Sequence, residues 1–440
     1  MMEQMSIFDA MPRIKNTEDS VFTGTRKMQV LSLFSGIGAF EKALDNLEIE
    51  YDLVGFCEID KYAAKSYCAI HGTDESKNLG DITKVDETKI PKDIDLLTYG
   101  FPCQDISLAG KQKGLFNDDG TQTRSGLFFE ALRIIEATKP KIAIAENVKN
   151  LVGKKFNAQF QVVLASLEAA GYNNYWAVLN SKEFGVPQNR ERVFIVSIRN
   201  DIDTGKFEFP ETFPLEKRLK DVLEEVVDEK YYLDGKFETI TYVNEHYAIL
   251  CGGAIGKMHD ISRRVYNPEY VSPAIHTSGG GNQEPKVAVA MRGRYNKDGK
   301  IEQHLEVSDR EYANTITTVQ KDSLVGEPKI AKCIGGFGEK KSNGGQQWYQ
   351  QDRIYMGDVA LAHPASIPGG SYNYVIEEPN LRIRKLTPKE CFRLMGFDDT
   401  DFEKAEAVNS NTQLYKQAGN SIVVQVIEHI FKALQKAMTV

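Results

Sequence analysis

The chain has 440 residues, 41% of them apolar, enough for a large core and more than the usual size of one domain. It holds no run of about 18 apolar residues, and residues 1–27 are mixed polar without a hydrophobic signal core, which argues against membrane insertion and secretion and points to a cytoplasmic protein. A formal charge of −8 does not advertise a nucleic-acid binder, although phosphate contact depends on the local face, and six scattered cysteines with no CxxC pair argue against both a zinc site and a disulfide framework.

Residues 28–200 read as alternating strands and helices. Met28 to Phe34 is a β-rich run that ends in Ser35-Gly36-Ile37-Gly38-Ala39, and Phe40 to Leu47 has helical apolar spacing. The glycine turn is not a full GxGxxG and carries no GK[ST], so it suits a nucleoside-like ligand better than a pyrophosphate, and it serves equally well as a tight structural turn. A second strand, Leu53 to Cys57, delivers Glu58 about 20 residues beyond the turn, where dinucleotide-type folds place an acid on a ribose hydroxyl pair. A helix follows over 61–70. Gly80-Asp81-Ile82-Thr83 closes another strand in this reading, with Asp81 facing either an adenine amino group or solvent.

The strand-like run 94–99 leads into Gly100-Phe101-Pro102-Cys103-Gln104. Reactive groups cluster at the carboxyl ends of strands in open α/β sheets, so Cys103 is a candidate nucleophile, a buried structural cysteine being the alternative. The stretch 109–126 has the Gly, Lys and Asp content of a mobile lid or of an ordinary solvent loop. A helix over 127–137 precedes the apolar strand 141–145, which presents Glu146-Asn147-Val148 at its end; a carboxylate there is costly unless paired or used. After a helix over 156–170 and a strand over 173–179, the run Gln188-Asn189-Arg190-Glu191-Arg192 sets two arginines at i, i+2 on one side of an entering strand. Between 201 and 381 the pattern changes to short strand-like pieces and glycine clusters, with a weak echo of Arg264-Val265-Tyr266, Arg310-Glu311-Tyr312 and Arg353-Ile354-Tyr355. An apolar-spaced helix over 423–437 folds back onto the first domain.

The ordered series Phe34-Ser35-Gly36-Ile37-Gly38, Gly80-Asp81-Ile82-Thr83, Gly100-Phe101-Pro102-Cys103-Gln104, Glu146-Asn147-Val148 and Gln188-Asn189-Arg190-Glu191-Arg192 resembles the motif set of the cytosine-C5 DNA methyltransferases of bacterial and phage type. The tail agrees through Arg384 to Phe397 and Gln417-Ala418-Gly419-Asn420-Ser421-Ile422-Val423, and Asn189 is the one slight departure. The resemblance implies an α/β fold: a Rossmann-like S-adenosylmethionine-dependent methyltransferase domain over 28–200, completed by a return segment 382–440, with a smaller β-rich target-recognition domain over 201–381 and an N-terminal extension 1–27. It implies methyl transfer to C5 of a flipped-out cytosine in double-stranded DNA, in restriction-modification or phage self-protection. Cys103 is then the nucleophile, Glu146 the acid at N3, Arg192 the contact to the cytosine carbonyl, and Arg190 a positioning group. S-adenosylmethionine would meet Phe34, Gly36, Ile37, Gly38, Glu58, Ile59, Asp81, Ile82, Gly100, Pro102, Leu127 and Asn420 and leave as S-adenosylhomocysteine, with no metal. DNA would meet Gln104, Ser107, Lys111 and Lys113 on the lid and Arg292 and Arg294 in the second domain. The expected enzyme works as a monomer on DNA, in the nucleoid-associated cytoplasm, beside a separate cognate endonuclease. Two rivals share features with this reading: a tRNA cytosine methyltransferase, and a non-catalytic nucleotide-binding module in which Cys103 has no role.

Overall fold

The computed structural model describes residues 26–102, 115, 123, 125–232, 268, 270–275 and 386–438, and the further strands given below. The chain divides into two compact units: Met1–Val222, Val271–Glu284 and Pro388–Val440 form the first, Leu223–Tyr270 and Pro285–Thr387 the second.

The first unit is built on one sheet. Its strands are β1 (Met28–Leu33), β2 (Tyr51–Cys57), β3 (Leu96–Tyr99), β4 (Ile142–Val148), β5 (Tyr172–Asn180) and β7 (Glu191–Arg199), with the two-residue β6 (Gln188–Asn189) just before β7. The spatial order is β2-β1-β3-β4-β7-β5. The first four run parallel, and β7 is antiparallel to both of its neighbours. Parallel strands covered on both faces need apolar residues at every position, and all four residues of β3 are buried. Helices α1 (Ala39–Asn46), α2 (Lys61–His71), α3 (Phe128–Thr138) and α4 (Asn157–Ala169) make the crossovers. Asp60 opens α2 by accepting the Tyr62 N–H at 2.9 Å, and Gly72, left-handed, closes it. Ile134, Ile135, Phe160, Val163 and Leu167 from α3 and α4 pack with Leu97, Ala143, Ala145 and Ile195 of the sheet into one core.

Chain order passes from β1 to β2 on one side and then returns to β3 on the other. The connections leave β1 and β3 in opposite directions, which opens a crevice at their carboxyl ends, the place where open α/β sheets bind ligands.

Two local expectations are corrected. Residues 80–83 close no strand; Asp81 instead caps a single 3-10 turn, Ile82–Lys84, because its carboxylate captures the Thr83 N–H at 3.1 Å. Strand β4 does not stop at Ala145 but continues through Glu146 to Val148, since β7 supplies ladder partners Phe194, Val193 and Arg192 for its last three residues.

Among the described residues the second unit holds strands and one short 3-10 turn, Glu229–Tyr231. Strands β8 (Thr239–Tyr242), β9 (Tyr247–Cys251), β10 (Arg264–Tyr266), β12 (Lys286–Tyr295) and β13 (Ile301–Leu305) form one sheet in the order β13-β12-β10-β9-β8, with β17 (Leu381–Lys385) also paired to β12. Strands β14 (Gly335–Gly336), β15 (Arg353–Met356) and β16 (Val375–Ile376) form a smaller one. The Arg264 and Arg353 members of the sequence echo are strands, and the Arg310 member lies outside the described residues. Strand β11 (Ser272–Pro273) falls within the sequence range 201–381 yet belongs to the first unit, where it pairs in parallel with β6.

The C-terminal segment returns to the first unit as α5 (Pro388–Leu394), α6 (Asp399–Glu406), α7 (Asn411–Asn420) and α8 (Val424–Met438). A capping box of Asp398 and Asp401 starts α6. Helix α8 lies along α1, with Phe431 against Phe40 at 6.4 Å between ring centres and Glu428 accepting from Asn46 at 2.6 Å. No helix among the described residues is long and apolar enough to cross a membrane.

Candidate active site

A small cleft lies at the crevice between β1 and β3. Its walls are Ser32 to Gly36 at the end of β1, Ala39 and Phe40 of α1, Gly100 after β3, Glu146 of β4, and Asn420, Ser421 and Ile422 from the returning segment.

The turn after β1 is unusual in its backbone. Phe34, Gly36 and Gly38 take φ of 52°, 57° and 82°, three left-handed residues within five. Such a conformation is uncomfortable for a bulky side chain, and strain of this kind collects at functional sites. Three of the turn's N–H groups are already engaged: Ser35 donates to the Cys57 carbonyl at 3.1 Å, Gly36 to Glu58 Oε2 at 2.9 Å and Gly38 to the Ser35 carbonyl at 2.9 Å. These three N–H groups are not free for a phosphate.

Glu58 receives a second N–H on its other oxygen, from Asp60 at 2.7 Å. Burial pushes the Glu58 carboxyl up, and the two backbone donors pull against that rise. Each oxygen retains a lone pair for a further donor. Ile59, beside it, is 73% exposed, an open apolar surface next to a partly desolvated carboxylate. Asp81 is half-buried; the Thr83 hydroxyl and N–H hold its carboxyl below the ordinary range. Ile82, Ile37 and Gly38 are buried, and Leu127 packs against the core rather than lining the cleft.

Gly100 leaves room where the cleft is narrow: a Cβ there would stand 3.8 Å from Ile422 Cδ1 and 3.9 Å from Glu146 Oε2. The segment after it is tied to β4, because Asn147 Nδ2 donates to the Phe101 carbonyl at 3.0 Å. Asn147 was not singled out among the sequence candidates, although it directly follows Glu146, which was. Asn420 ends α7, which is anchored to α2 through Gln417 and Ser66 at 2.8 Å and through Lys416 and Asp60 at 2.6 Å.

Glu146 and Arg192 meet across the β4–β7 ladder. Arg192 Nε is 3.0 Å from Glu146 Oε1, an ion-pair distance, although the N–H is not aimed at that oxygen and Oε1 has no hydrogen-bond partner among the described residues. Burial drives the Glu146 carboxyl up, and Arg192 and then Arg190 counteract it without cancelling it. The result is a mostly buried carboxyl in the cleft wall, held above its ordinary value by desolvation.

The two arginines expected on one side of a cleft have different surroundings. Arg190 is 4% exposed, and its guanidinium donates to the carbonyls of Ile275 at 3.0 Å, Gly419 at 3.2 Å and Ser421 at 2.7 Å. It is a clamp between segments of the first unit and has no face left for a DNA phosphate. Cys103, Gln104, Ser107, Lys111 and Lys113 lie outside the described residues; Pro102, the chain neighbour of Cys103, does not. Arg292 and Arg294 occupy β12 in register with His304 and Glu302 of β13. No group of three or more metal-binding side chains occurs among the described residues.

The family model for C-5 cytosine-specific DNA methylases matches residues 28–436. The orphan methyltransferase M.SPRI of Bacillus phage SPR is 39% identical over 93% of this chain and 97% of its own length. The type II methyltransferase M2.ScrFI of Lactococcus lactis subsp. cremoris is 32% identical over 93% and 99%. The type II methyltransferase M.HhaI of Haemophilus parahaemolyticus is 30% identical over 94% and 95%. Among solved structures, the Dnmt2 methyltransferase of S. pombe superposes with a TM-score of 0.53 at 17% identity over 93% of this chain and 99% of that one, a likeness of fold.

Proposed function

The chain belongs to the C-5 cytosine-specific DNA methylase family, and from that premise we propose that it transfers a methyl group from S-adenosylmethionine to C5 of a cytosine flipped out of a specific duplex sequence. The observation that carries this reading is the convergence, on one cleft, of the strained turn after β1, Gly100, Asn420 and the raised Glu146 carboxyl.

The residues suit a nucleoside sulfonium. Glu58 has unfilled lone pairs for a ribose diol, Ile59 offers an apolar face, Gly100 leaves space, and the engaged turn amides ask for no phosphate. Phe34, Gly36 and Asn420 line the same cleft, Ile37, Gly38, Asp81, Ile82 and Pro102 complete the proposed set, and Leu127, which packs against the core, leaves it. When bound, S-adenosylmethionine supplies an electrophilic methyl group.

Cytosine C5 is too weak a nucleophile by itself, so the ring has to be activated first. In the proposed sequence the Cys103 thiolate adds to C6, which makes C5 enamine-like, and charge building toward N3 is met by the Glu146 proton. Arg192 holds Glu146 in place and contacts the cytosine carbonyl. After C5 has taken the methyl group, its proton leaves to water or hydroxide, and the C6–S bond breaks to restore the thiolate. Lys111 and Lys113 would meet phosphates as the segment after Cys103 closes, and the second unit, with Arg292 and Arg294 on β12, would read base edges in the major groove. The proposed enzyme acts as a monomer, and any cognate endonuclease acts separately.

Incubation with methyl-labelled S-adenosylmethionine and either duplex DNA or tRNA tests this reading. Label is expected in DNA, at cytosine C5 within one sequence context on bisulfite sequencing; label in tRNA alone would overturn the substrate, and label in neither would overturn catalysis.

A further inference from the structure

The turn that lines the cleft rests on a histidine for which the proposed reaction has no use. His71 is the last residue of α2, and its side chain is 3% exposed. Its Nε2 lies 3.1 Å from the Ile37 carbonyl oxygen. A carbonyl only accepts, so this ring nitrogen carries the hydrogen. Nδ1 lies 3.5 Å from Asp45 Oδ2, without hydrogen-bond geometry. The ring is fixed from the side by Tyr67, whose centroid is 4.8 Å away and which itself stacks on Phe56 at 4.0 Å.

The imidazole also fills the place of a missing side chain. A Cβ on Gly38 would overlap the ring, with His71 Cδ2 at 2.7 Å and Tyr67 Cε2 at 3.0 Å. The turn and the ring are therefore complementary: Gly38 is bare where the imidazole sits, and the carbonyl one residue earlier receives its N–H. Phe34 and Gly36, the cleft-lining residues, are two of the three left-handed positions in this same turn, and a strained segment keeps its shape only where neighbours over-determine it.

We infer that His71 is a positioning residue for cofactor binding, acting through the Ile37 carbonyl to hold the Phe34–Gly38 turn in the shape that lines the cleft. Cofactor affinity, and not the chemical step, depends on it. The inference rests on the reading of this cleft as the S-adenosylmethionine site.

The test uses the full chain and two variants. His71→Leu keeps bulk and loses the donor; His71→Gln keeps a donor near the position of Nε2. Calorimetric titration with S-adenosylhomocysteine is expected to show affinity falling about tenfold in His71→Leu and staying within about threefold of the parent in His71→Gln. Steady-state rates on duplex DNA should show a raised KM for S-adenosylmethionine with kcat within about twofold. Parental affinity in a folded His71→Leu, a His71→Gln as weak as His71→Leu, or a kcat that falls as far as kcat/KM would each overturn the inference. If His71→Leu does not fold, His71→Gln decides alone: near-parental affinity supports the inference and a tenfold loss overturns it. If the parent itself binds no S-adenosylhomocysteine, the reading of the cleft fails and the inference falls with it.

Discussion

Glu146 and Arg192 are diagonal neighbours on one face of the antiparallel β4–β7 ladder: Glu146 stands opposite Phe194, Arg192 opposite Val148, and Arg192 Nε reaches Glu146 Oε1 at 3.0 Å. Side chains at such diagonal positions are within reach when one of them is long. The pair depends on β7 running antiparallel, because that direction brings the start of β7 to the end of β4, at the cleft. A buried carboxyl, a guanidinium that is 20% exposed and the strand ends are thereby placed together without any contribution from a loop.

Glu146→Gln separates the carboxyl's chemical role from its effect on stability. Burial holds this carboxyl above its ordinary value of 4.5, so the folded chain binds more protons than the unfolded chain between 4.5 and the raised folded value. Stability from this site is therefore greatest at low pH and declines as pH climbs through that window. The neutral glutamine escapes the decline. Denaturant unfolding should show Glu146→Gln gaining on the parent as pH rises above 4.5, while methyl transfer falls by about 10²- to 10⁴-fold, the usual worth of a positioned acid. A stability difference that does not change with pH would count against the raised carboxyl.

Arg192→Ala acts in the opposite electrostatic sense. Arg192 is the largest of the influences that lower the Glu146 carboxyl, so its removal lets the carboxyl rise further. If a protonated Glu146 serves the reaction, the alkaline limb of kcat/KM moves to higher pH, and the rate near neutrality drops by about 10²-fold through loss of a donor near the cytosine carbonyl. Thermal unfolding should hardly change, since Arg192 is partly open to water. An alkaline limb at the parental pH would detach Arg192 from Glu146.

Arg190→Met is expected to do the reverse of Arg192→Ala. Its guanidinium satisfies three buried carbonyls, those of Ile275, Gly419 and Ser421. Each buried acceptor left unmet costs about 1–3 kcal/mol, so the three together are expected to cost about 3 kcal/mol or more. Chemical denaturation should register that loss, whereas a stability within about 0.5 kcal/mol of the parent, the size of an ordinary surface change, would show that the clamp is redundant.

What the sequence discloses here is local, and what it conceals depends on distant partners. The strand, glycine turn and helix over 28–47 are readable because apolar spacing and two glycines act within a few residues, and the observed β1 and α1 agree to within a residue. The end of β4 was misplaced because Glu146 to Val148 stay in the ladder only through β7, some 45 residues later. The i, i+2 spacing of Arg190 and Arg192 predicts a common side but not that one guanidinium meets carbonyls at 275, 419 and 421 while the other meets Glu146. Asp81 looked like the end of a strand because its preference for capping its own turn is a short-range competitor of the ladder. Ser32 and Phe40 line the cleft without motif character, and His71 supports it from a helix end; side chains of these types carry no chemical signal until the fold brings them together.

Cys103→Ser tests the step on which the proposed chemistry turns. The Phe101 carbonyl is held by Asn147, and Pro102 restricts the backbone next to it, so the chain enters position 103 from an anchored segment. A serine hydroxyl there is nearly isosteric but far less acidic than a thiol, and it supplies almost no anion to attack C6. Turnover should fall by roughly 10³-fold or more, on the scale of losing a covalent nucleophile, with S-adenosylhomocysteine affinity unchanged because the substitution keeps the size of the side chain and removes only its nucleophilicity. A duplex carrying 5-fluorocytosine at the target, which blocks loss of the C5 substituent, should leave a mass adduct on the parent at Cys103 and none on Cys103→Ser. Near-normal methylation by the serine variant, or an adduct on another residue of the parent, would move the covalent step elsewhere.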